Sequence, residues 1–410
     1  MVIMTTRING AARLFLLGAG VFAVQGEAPA ESDYLVVDVG PVRYKAVGGV
    51  NQSGVACFSA GPTLHACRWS ENGGVETLTT VSYSYTFAIN ADGAVVGQVS
   101  GQATLWSPSN EATPLGFLPG TGSESRALGI NDPGVVVGTS GSSLSNRNKP
   151  FIWTEATGMR PVPMLGGANG VAHDINAAGH VVGGSKTAGS AYDHAFWWSG
   201  SDSDPPVDLT PTKEFGQALA VNAHDHVVGT WGPLANTPFI WDAVGGLRAL
   251  GHGGSQAWAR DINDSDLIVG SYQLSGSASH RACLWDGGGM AVDLNTLIPP
   301  GSGWVLTDAY AVNNRGEILG AGELDGEEHA FLLKPAASGP PVLVAEPHEQ
   351  AGRLMISWPE QSGLVLEQST NLLNWSPSGA TVETIDGSSR VTVDPGAGGK
   401  AVYYRLSESE

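Results

Sequence analysis

Positive charge is scarce in this chain: 20 Lys and Arg stand against 39 Asp and Glu, a formal net charge of −19 at pH 7. A surface of that sign repels phosphate backbones, so nucleic acid is excluded as an expected partner. Charged residues of both signs reach only 14%, against about 25% in an ordinary soluble domain. Glycine is abundant instead, with 57 residues, which speaks for strands joined by tight turns rather than for helices. Three cysteines in 410 residues cannot staple a disulfide scaffold. Catalytic signatures are missing as well: there is no Gly-x-Ser-x-Gly, His-Glu-x-x-His, phosphate loop or Cys-x-x-Cys. No cofactor or metal is therefore expected, and an enzyme is the less favoured reading.

Long apolar runs are also lacking, apart from "LFLLGAGVFAV" (14–24), which is too short to span and stay in a bilayer. Arg7 and Arg13 precede it and the small residues of "QGEAPA" (25–30) follow, the order of a secretory signal peptide. The expectation is a leader over residues 1–30, cut after Gly26 or after Ala30. The mature chain is then secreted, extracellular or on the cell surface, without a membrane span.

What the chain does have is one phrase written seven times. "FAINADGAVVG" (87–97) returns as "LGINDPGVVVG" (128–138), "HDINAAGHVVG" (173–183) and "YAVNNRGEILG" (310–320). Its Asn falls at Asn51, Asn90, Asn131, Asn176, Asn222, Asn263 and Asn313, at intervals of 39, 41, 45, 46, 41 and 50. Each copy carries a small-residue strand ending at that Asn, then a β-branched strand such as "GAVVG" (93–97). An aromatic strand such as "HAFWW" (194–198) and a short fourth strand such as "TPLGFL" (113–118) follow. Four strands in about 40–45 residues is the measure of a propeller blade. After the last aromatic strand, "HAFLL" (329–333), no fourth strand follows; "YLVVDVG" (34–40) at the other end supplies it. The expected fold is therefore all-β, a seven-bladed propeller over 31–334 closed by its N-terminal strand, which removes open edges.

Asn-x-x-Gly reads as the turn between first and second strands, with a left-handed fourth position that Gly adopts freely. Asp225 and Asp266 replace that Gly in two copies and tolerate the conformation. These Asn are expected to be structural. Cys57 and Cys67 are symmetric about Pro62, in a hairpin expected to turn at "GPT" (61–63), which would set them opposite each other for a cross-strand disulfide. Cys283 has no obvious partner and is expected to pack as a small hydrophobe.

"HAFWW" and "HAFLL", alternating with "IN-x-x-G-x-VVG", resemble the HAF repeats of extracellular bacterial proteins over about residues 34–334. The His of the motif is Gln102, Lys149, Thr237 or Arg281 in four copies, which argues against a ring of functional histidines. The resemblance implies no activity and no catalytic residues. The tail beyond the 335–341 linker, with "LMISW" (354–358) and "AVYYRL" (401–406), is similar to small β modules of secreted bacterial proteins. It is expected to form a fibronectin-like β-sandwich over 342–410, with Trp358, Trp375 and Tyr404 in its core.

In such a propeller the Asn turns occupy one face, and longer, more varied loops occupy the other, where binding is expected. Those loops (139–148, 184–193, 271–280, 298–307) and their neighbours carry Tyr83, Tyr85, Tyr192, Phe215, Trp231, Trp258, Tyr272 and Trp304 among Ser, Gly and Asn. Rigid aromatics among small polar groups suit a sugar-like or protein surface. "DINDSD" (261–266) lacks the central Gly and final Glu of a calcium loop, and "HDH" (224–226) reads as a solvated turn. Asp174 and Asp261 stand where the other copies carry Ala or Gly, two residues before the Asn. They are the only catalytic candidates, and hydrogen bonding to a neighbouring turn is the plainer expectation. The expected function is an extracellular module binding a glycan or protein; the alternatives are a carbohydrate-active hydrolase or lyase and a purely structural surface protein.

Overall fold

The computed structural model describes residues 2–5, 13–17, 33–141, 148–212, 215–232, 236–286 and 289–336. In the C-terminal part it describes 344–347, 354–359, 364–369, 376–378, 382–385, 388–393 and 403–408. The chain divides into two units, Tyr34–Pro335 and a second made of Met1–Asp33 with Ala336–Glu410. Strands dominate both, and the one helical element among the described residues is a 3-10 turn at Leu294–Thr296. No helix of the described residues is long and apolar enough to cross a membrane.

The second unit holds two antiparallel sheets. One is ordered Val344–Pro347, Leu354–Pro359, Ser388–Val393, Glu383–Ile385; the other is Val2–Thr5, Arg13–Leu17, Tyr403–Glu408, Leu364–Ser369, Ser376–Pro377. Trp358 and Tyr404 fall on these strands. Trp375, both expected leader cleavage points and most of the 335–341 linker lie outside the described residues.

The larger unit contains five four-stranded sheets and one of seven strands. In the seven-stranded sheet the order is Trp304–Val312, Ile318–Leu324, Glu327–Pro335, Tyr34–Val50, Ala56–Ala60, His65–Ser70, Gly74–Thr77. Tyr34–Val50 thus serves twice. Its start pairs antiparallel with Glu327–Pro335, with Lys334 opposite Leu35 and Phe331 opposite Asp38. Its end pairs with Ala56–Ala60. Side chains repeat the logic: His194 Nδ1 lies 2.8 Å from Asp208 and His329 Nδ1 lies 2.9 Å from Asp38. Phe196 opposes Asp208 as Phe331 opposes Asp38, so the N-terminal strand sits in the register of a fourth strand.

The first strands of the seven copies are the second half of Tyr34–Val50, then Tyr85–Ile89, Ser125–Ile130, Gly166–Ile175, Gly216–Val221, Gln256–Ile262 and Trp304–Val312. Each packs against the first strands of its neighbours, and the last packs against the first. At their ends the Asn side chains make a cycle. Asn51 Nδ2 donates to Asn90 O, Asn90 to Asn131 O, Asn131 to Asn176 O, and Asn176 to Asn222 O. Asn222 donates to Asn263 O, Asn263 to Asn313 O, and Asn313 returns to Asn51 O, all at 2.9–3.3 Å. Each Asn Oδ1 also accepts the N–H four residues on, as in Ala94 N to Asn90 at 2.9 Å. Every one of these Asn is buried, so the bonds form out of water. The fourth turn position has positive φ throughout, from Gly54 at 75° to Asp225 at 62° and Asp266 at 61°.

The first strands bulge. Pairing with the second strand slips at Phe87, Leu128, His173, Leu219, Arg260 and Tyr310, three residues before each Asn. The bulge drives a first-strand carbonyl at the second strand. A Cβ on Gly97, Gly138, Gly183, Gly229, Gly270 or Gly320 would overlap the carbonyl oxygen of Tyr85, Arg126, Val171, Gln217, Trp258 or Asp308. The recurrent Gly of "VVG" is therefore required by close approach, not by its φ.

Cys57 and Cys67 are free thiols, which corrects the expected disulfide. The hairpin is centred between Pro62 and Thr63: Cys57 opposes Arg68, and Cys67 opposes Phe58. That one-residue offset turns the two sulfurs to opposite faces of the sheet. Cys57 packs with Ile89 and Trp106, Cys67 with Phe58 and Leu332. Cys283 is buried in a third cluster beside Trp285 and Ile268.

Candidate functional site

Along each first strand, residues one and four before the Asn are core: Ile175 and Ala172, Val221 and Ala218, Ile262 and Ala259, Val312 and Ala309 are all buried. Positions two, three and five before the Asn line the space inside the cycle of strands. At these three positions the first three copies carry Ala46, Gly48, Gly49, Tyr85, Phe87, Ala88, Arg126, Leu128 and Gly129. The last four carry Val171, His173, Asp174, Gln217, Leu219, Ala220, Trp258, Arg260, Asp261, Asp308, Tyr310 and Ala311, which places most of the polar and charged groups there. Core positions are uniform and lining positions are not, so the chemistry specific to this protein is concentrated in one arc.

Asp174 and Asp261 sit beside the Asn cycle. Asp174 Oδ2 accepts from Val221 N at 2.9 Å, and Asp261 accepts from Val312 N and Ile262 N, each at 2.8 Å. Each carboxylate thus ties its copy to the next. Burial outweighs these bonds and pushes Asp174 up to about 6 and Asp261 to about 7, the latter raised further by the charge of Asp174. Their acceptor oxygens are committed to backbone, which leaves them poorly placed for acid–base work on a ligand.

Five of the seven expected ligand aromatics are half-buried. Tyr85 stacks on Phe87 at 6.4 Å, and Trp231 packs on the cluster around Val221 and Phe239. Trp258 stacks on His280 at 5.1 Å, Tyr272 O–H lies 3.4 Å from Asp293, and Trp304 meets the edges of His329 and Phe331. Only Tyr83 and Tyr192 are open, at 63% and 51% exposure.

Tyr192 opens onto a cleft of about 280 Å³ lined also by Asn148, Asn169, Val171, Lys186, Asp193 and Phe215. Strand Val181–Thr187 supplies Lys186, the turn after it Tyr192, and strand Asp193–Trp198 Asp193; strand Gly166–Ile175 supplies Asn169 and Val171. Among the described residues Asp193 Oδ1 and Asn148 Oδ1 are buried without a hydrogen-bond partner, which is costly unless a donor arrives. Burial raises the Asp193 carboxyl, opposed by the charge of Lys186. The other oxygen, Oδ2, accepts from Gln217 Nε2 at 3.0 Å, and Gln217 Oε1 lies 2.8 Å from His173 Nε2. That chain fixes the imidazole with its proton on Nε2, and burial lowers its pKa and keeps it neutral. A larger cleft of about 640 Å³ lies on the Asn-turn side, between the first two copies. Its Arg68 is already saturated by Glu76, Gly93 O, Pro108 O and Asn110.

No family model and no curated protein matches this chain. Solved structures do. A catalytically inactive His-to-Ala variant of virginiamycin B lyase from Staphylococcus aureus, with quinupristin, is similar at TM-score 0.50 and 11% identity, over 73% of this chain and 99% of that one. The β-propeller domain of the Trilobed protease from Pyrococcus furiosus has TM-score 0.41 and 11% identity, over 68% of this chain and 91% of that one. A gluconolactonase from Xanthomonas campestris has TM-score 0.41 and 12% identity, over 82% and 98%. The chain is all-β, with β-propeller neighbours. At such identities the likeness is one of fold, and function must come from the site.

Among the described residues no group of three His, Cys, Asp or Glu is placed to hold a metal. His226 of "HDH" is engaged with Asp266 at 2.6 Å, and His180 with Asp225 at 2.6 Å. Both Asp also accept from an Asn of the cycle, Asn222 and Asn176, at 2.9 Å. The two Gly-to-Asp changes in the turns are thereby structural. Sequence reasoning missed Asn148, Lys186, Asp193 and Gln217; aligning the copies on their Asn puts Ala46, Tyr85, Arg126, Val171, Gln217, Trp258 and Asp308 in one column, so the repeat gives no signal that singles Gln217 out.

Proposed function

We propose that residues 34–335 are a seven-bladed β-propeller of HAF-type repeats, closed by Tyr34–Pro41, in an exported protein whose long-loop face binds a glycan. A small fibronectin-like module follows. The seven Asn hydrogen bonds and the shared register of His194–Asp208 and His329–Asp38 support the blade count and the closure. One observation carries the binding reading: Tyr192 stands half-exposed beside two buried acceptors, Asn148 Oδ1 and Asp193 Oδ1, that lack donors among the described residues. A sugar brings both complements, hydroxyl donors for the two oxygens and an apolar ring face for the tyrosine. A purely structural role leaves those acceptors unexplained. Catalysis by acids near the axis loses its candidates, because Asp174 and Asp261 are spent on Val221 and Val312.

The test is a glycan and cell-envelope panel probed with the exported protein and with Tyr192→Ala. Binding that Tyr192→Ala abolishes, with thermal unfolding unchanged, supports the reading. Retention of binding by the variant moves the site elsewhere, and silence on the panel turns attention to a protein partner.

A further inference from the structure

The polar arc continues past the Tyr192 cleft. Five residues before the Asn, consecutive copies carry Val171 in the cleft, Gln217 bonded to the cleft's Asp193, then Trp258 and Asp308. Neighbouring first strands pack on one another through this stretch. At its far end Asp308, 2% exposed, meets two side chains through the same oxygen: Arg260 Nη2 at 3.4 Å and His280 Nδ1 at 3.5 Å. Apart from Arg281–Asp293 at 3.8 Å, the other ion pairs among the described residues close to 2.6–3.0 Å. Arg260 Nε is buried and has no partner among the described residues. The guanidinium lies 4.7 Å over the Tyr310 ring and the His280 ring is stacked on Trp258 at 5.1 Å, so both groups are held flat. Their side chains remain 29% and 28% exposed.

Arg260 thus meets its acceptor oxygen loosely and keeps a buried N–H without a partner among the described residues. A ligand carboxylate supplies the acceptor that the Arg260 guanidinium lacks. We propose that Arg260, with His280 beside it, holds a carboxylate of the bound glycan, making the ligand an acidic sugar. This rests on the glycan reading of the Tyr192 cleft and names its substrate class. A planar carboxylate suits a guanidinium with an open edge, which a point charge such as Lys would not reproduce. Because the protein as a whole carries −19, an acidic ligand needs a local cation such as Arg260. The nearest carboxyl in sequence, Asp261, is held toward its neutral form by burial, so it opposes the ligand less than an ordinary aspartate would.

The experiment titrates the full chain with matched pairs of oligosaccharides, uronate tetramers (galacturonate, glucuronate, mannuronate) against their neutral hexose counterparts, with inorganic phosphate as competitor. One acidic member is expected to bind about 10-fold or more tightly than its neutral partner, the scale of a charge-assisted hydrogen bond. Arg260→Lys and His280→Gln should each remove most of that preference while neutral-sugar binding persists, and phosphate should not displace the sugar. Thermal unfolding of both variants shows whether the link to Asp308 has been lost with the site. Because Arg260→Lys keeps a cation facing Asp308, a folded Arg260→Lys that keeps the full preference overturns the proposal. Equal binding of acidic and neutral members, with Tyr192→Ala still destructive, sinks this inference and leaves the cleft reading standing. Failure of every sugar to bind removes both. Displacement by phosphate would make the site a general anion site and refute the carboxylate assignment.

Discussion

Removing one asparagine from the cycle should weaken the whole larger unit, and Asn222→Ala is the cleanest case. Its side chain makes four hydrogen bonds: Nδ2 to Asn263 O at 3.0 Å and to Asp266 Oδ1 at 2.9 Å, and Oδ1 from His224 N and His226 N, each at 3.0 Å. The residue is 3% exposed, so water cannot replace these partners without opening the turn. At about 1 kcal/mol net per bond the loss is about 4 kcal/mol. For a unit of this size, about 2 °C per kcal/mol gives a fall in Tm of about 8 °C. Differential scanning calorimetry reads it, with Asn72→Ala as the control, since Asn72 is exposed and should change stability by less than about 0.5 kcal/mol. Asp266→Gly, the residue that five of the other six turns carry, removes one of the four bonds. In a double-mutant cycle with Asn222→Ala it should show about 1 kcal/mol of coupling. A fall below about 2 °C for Asn222→Ala, or one equal to that of Asn72→Ala, would refute the view that the cycle bears stability.

Gly229→Ala should cost at least about 3 kcal/mol, because its Cβ would overlap the Gln217 carbonyl and neither backbone can retreat without breaking the ladder; urea unfolding that shifts by under 1 kcal/mol would contradict this. The three thiols should be silent to a thiol reagent in the native state, since burial pushes Cys57 up to about 11 and raises Cys67 and Cys283 as well. In guanidinium all three should react, whereas a count of one would restore the disulfide. Asp174 and Asp261, at about 6 and 7, bind protons more tightly folded than unfolded. Stability should accordingly fall as pH rises from about 4 to about 7 and then level off. Asp174→Ala with Asp261→Ala, the kind of residue other copies carry there, should flatten that slope; an unchanged slope in chemical denaturation would rule these groups out as its source.

The cyclic part of the structure was legible because it is written in repeated hydrogen-bonding residues. Asn-x-x-Gly states a turn, and the orphan third strand "HAFLL" states that its missing partner is "YLVVDVG". What sequence could not convey was how far the copies depart from regular ladders. The bulge three residues before each Asn, which makes the Gly of "VVG" obligatory, has no local signature in propensity. Register was misread at Cys57 and Cys67 because a hairpin can be centred on a residue or between two, and one residue decides which face a sulfur takes. The aromatics were over-read: Trp231, Trp258, Tyr272 and Trp304 lie in long-loop stretches but pack under them. Arg260 and His280 lie on the first and third strands of one copy and Asp308 on the first strand of the next, and only the packing of one copy against the next brings them together.

The most direct test of the account is isothermal titration of the tightest-binding panel oligosaccharide into the wild-type chain, Tyr192→Ala and Asp193→Ala. The account expects saturable binding at one site per chain, with Kd rising 10-fold or more in each variant while Tm stays within about 2 °C of wild type. Equal affinity across all three proteins would place the ligand outside the cleft and contradict the account.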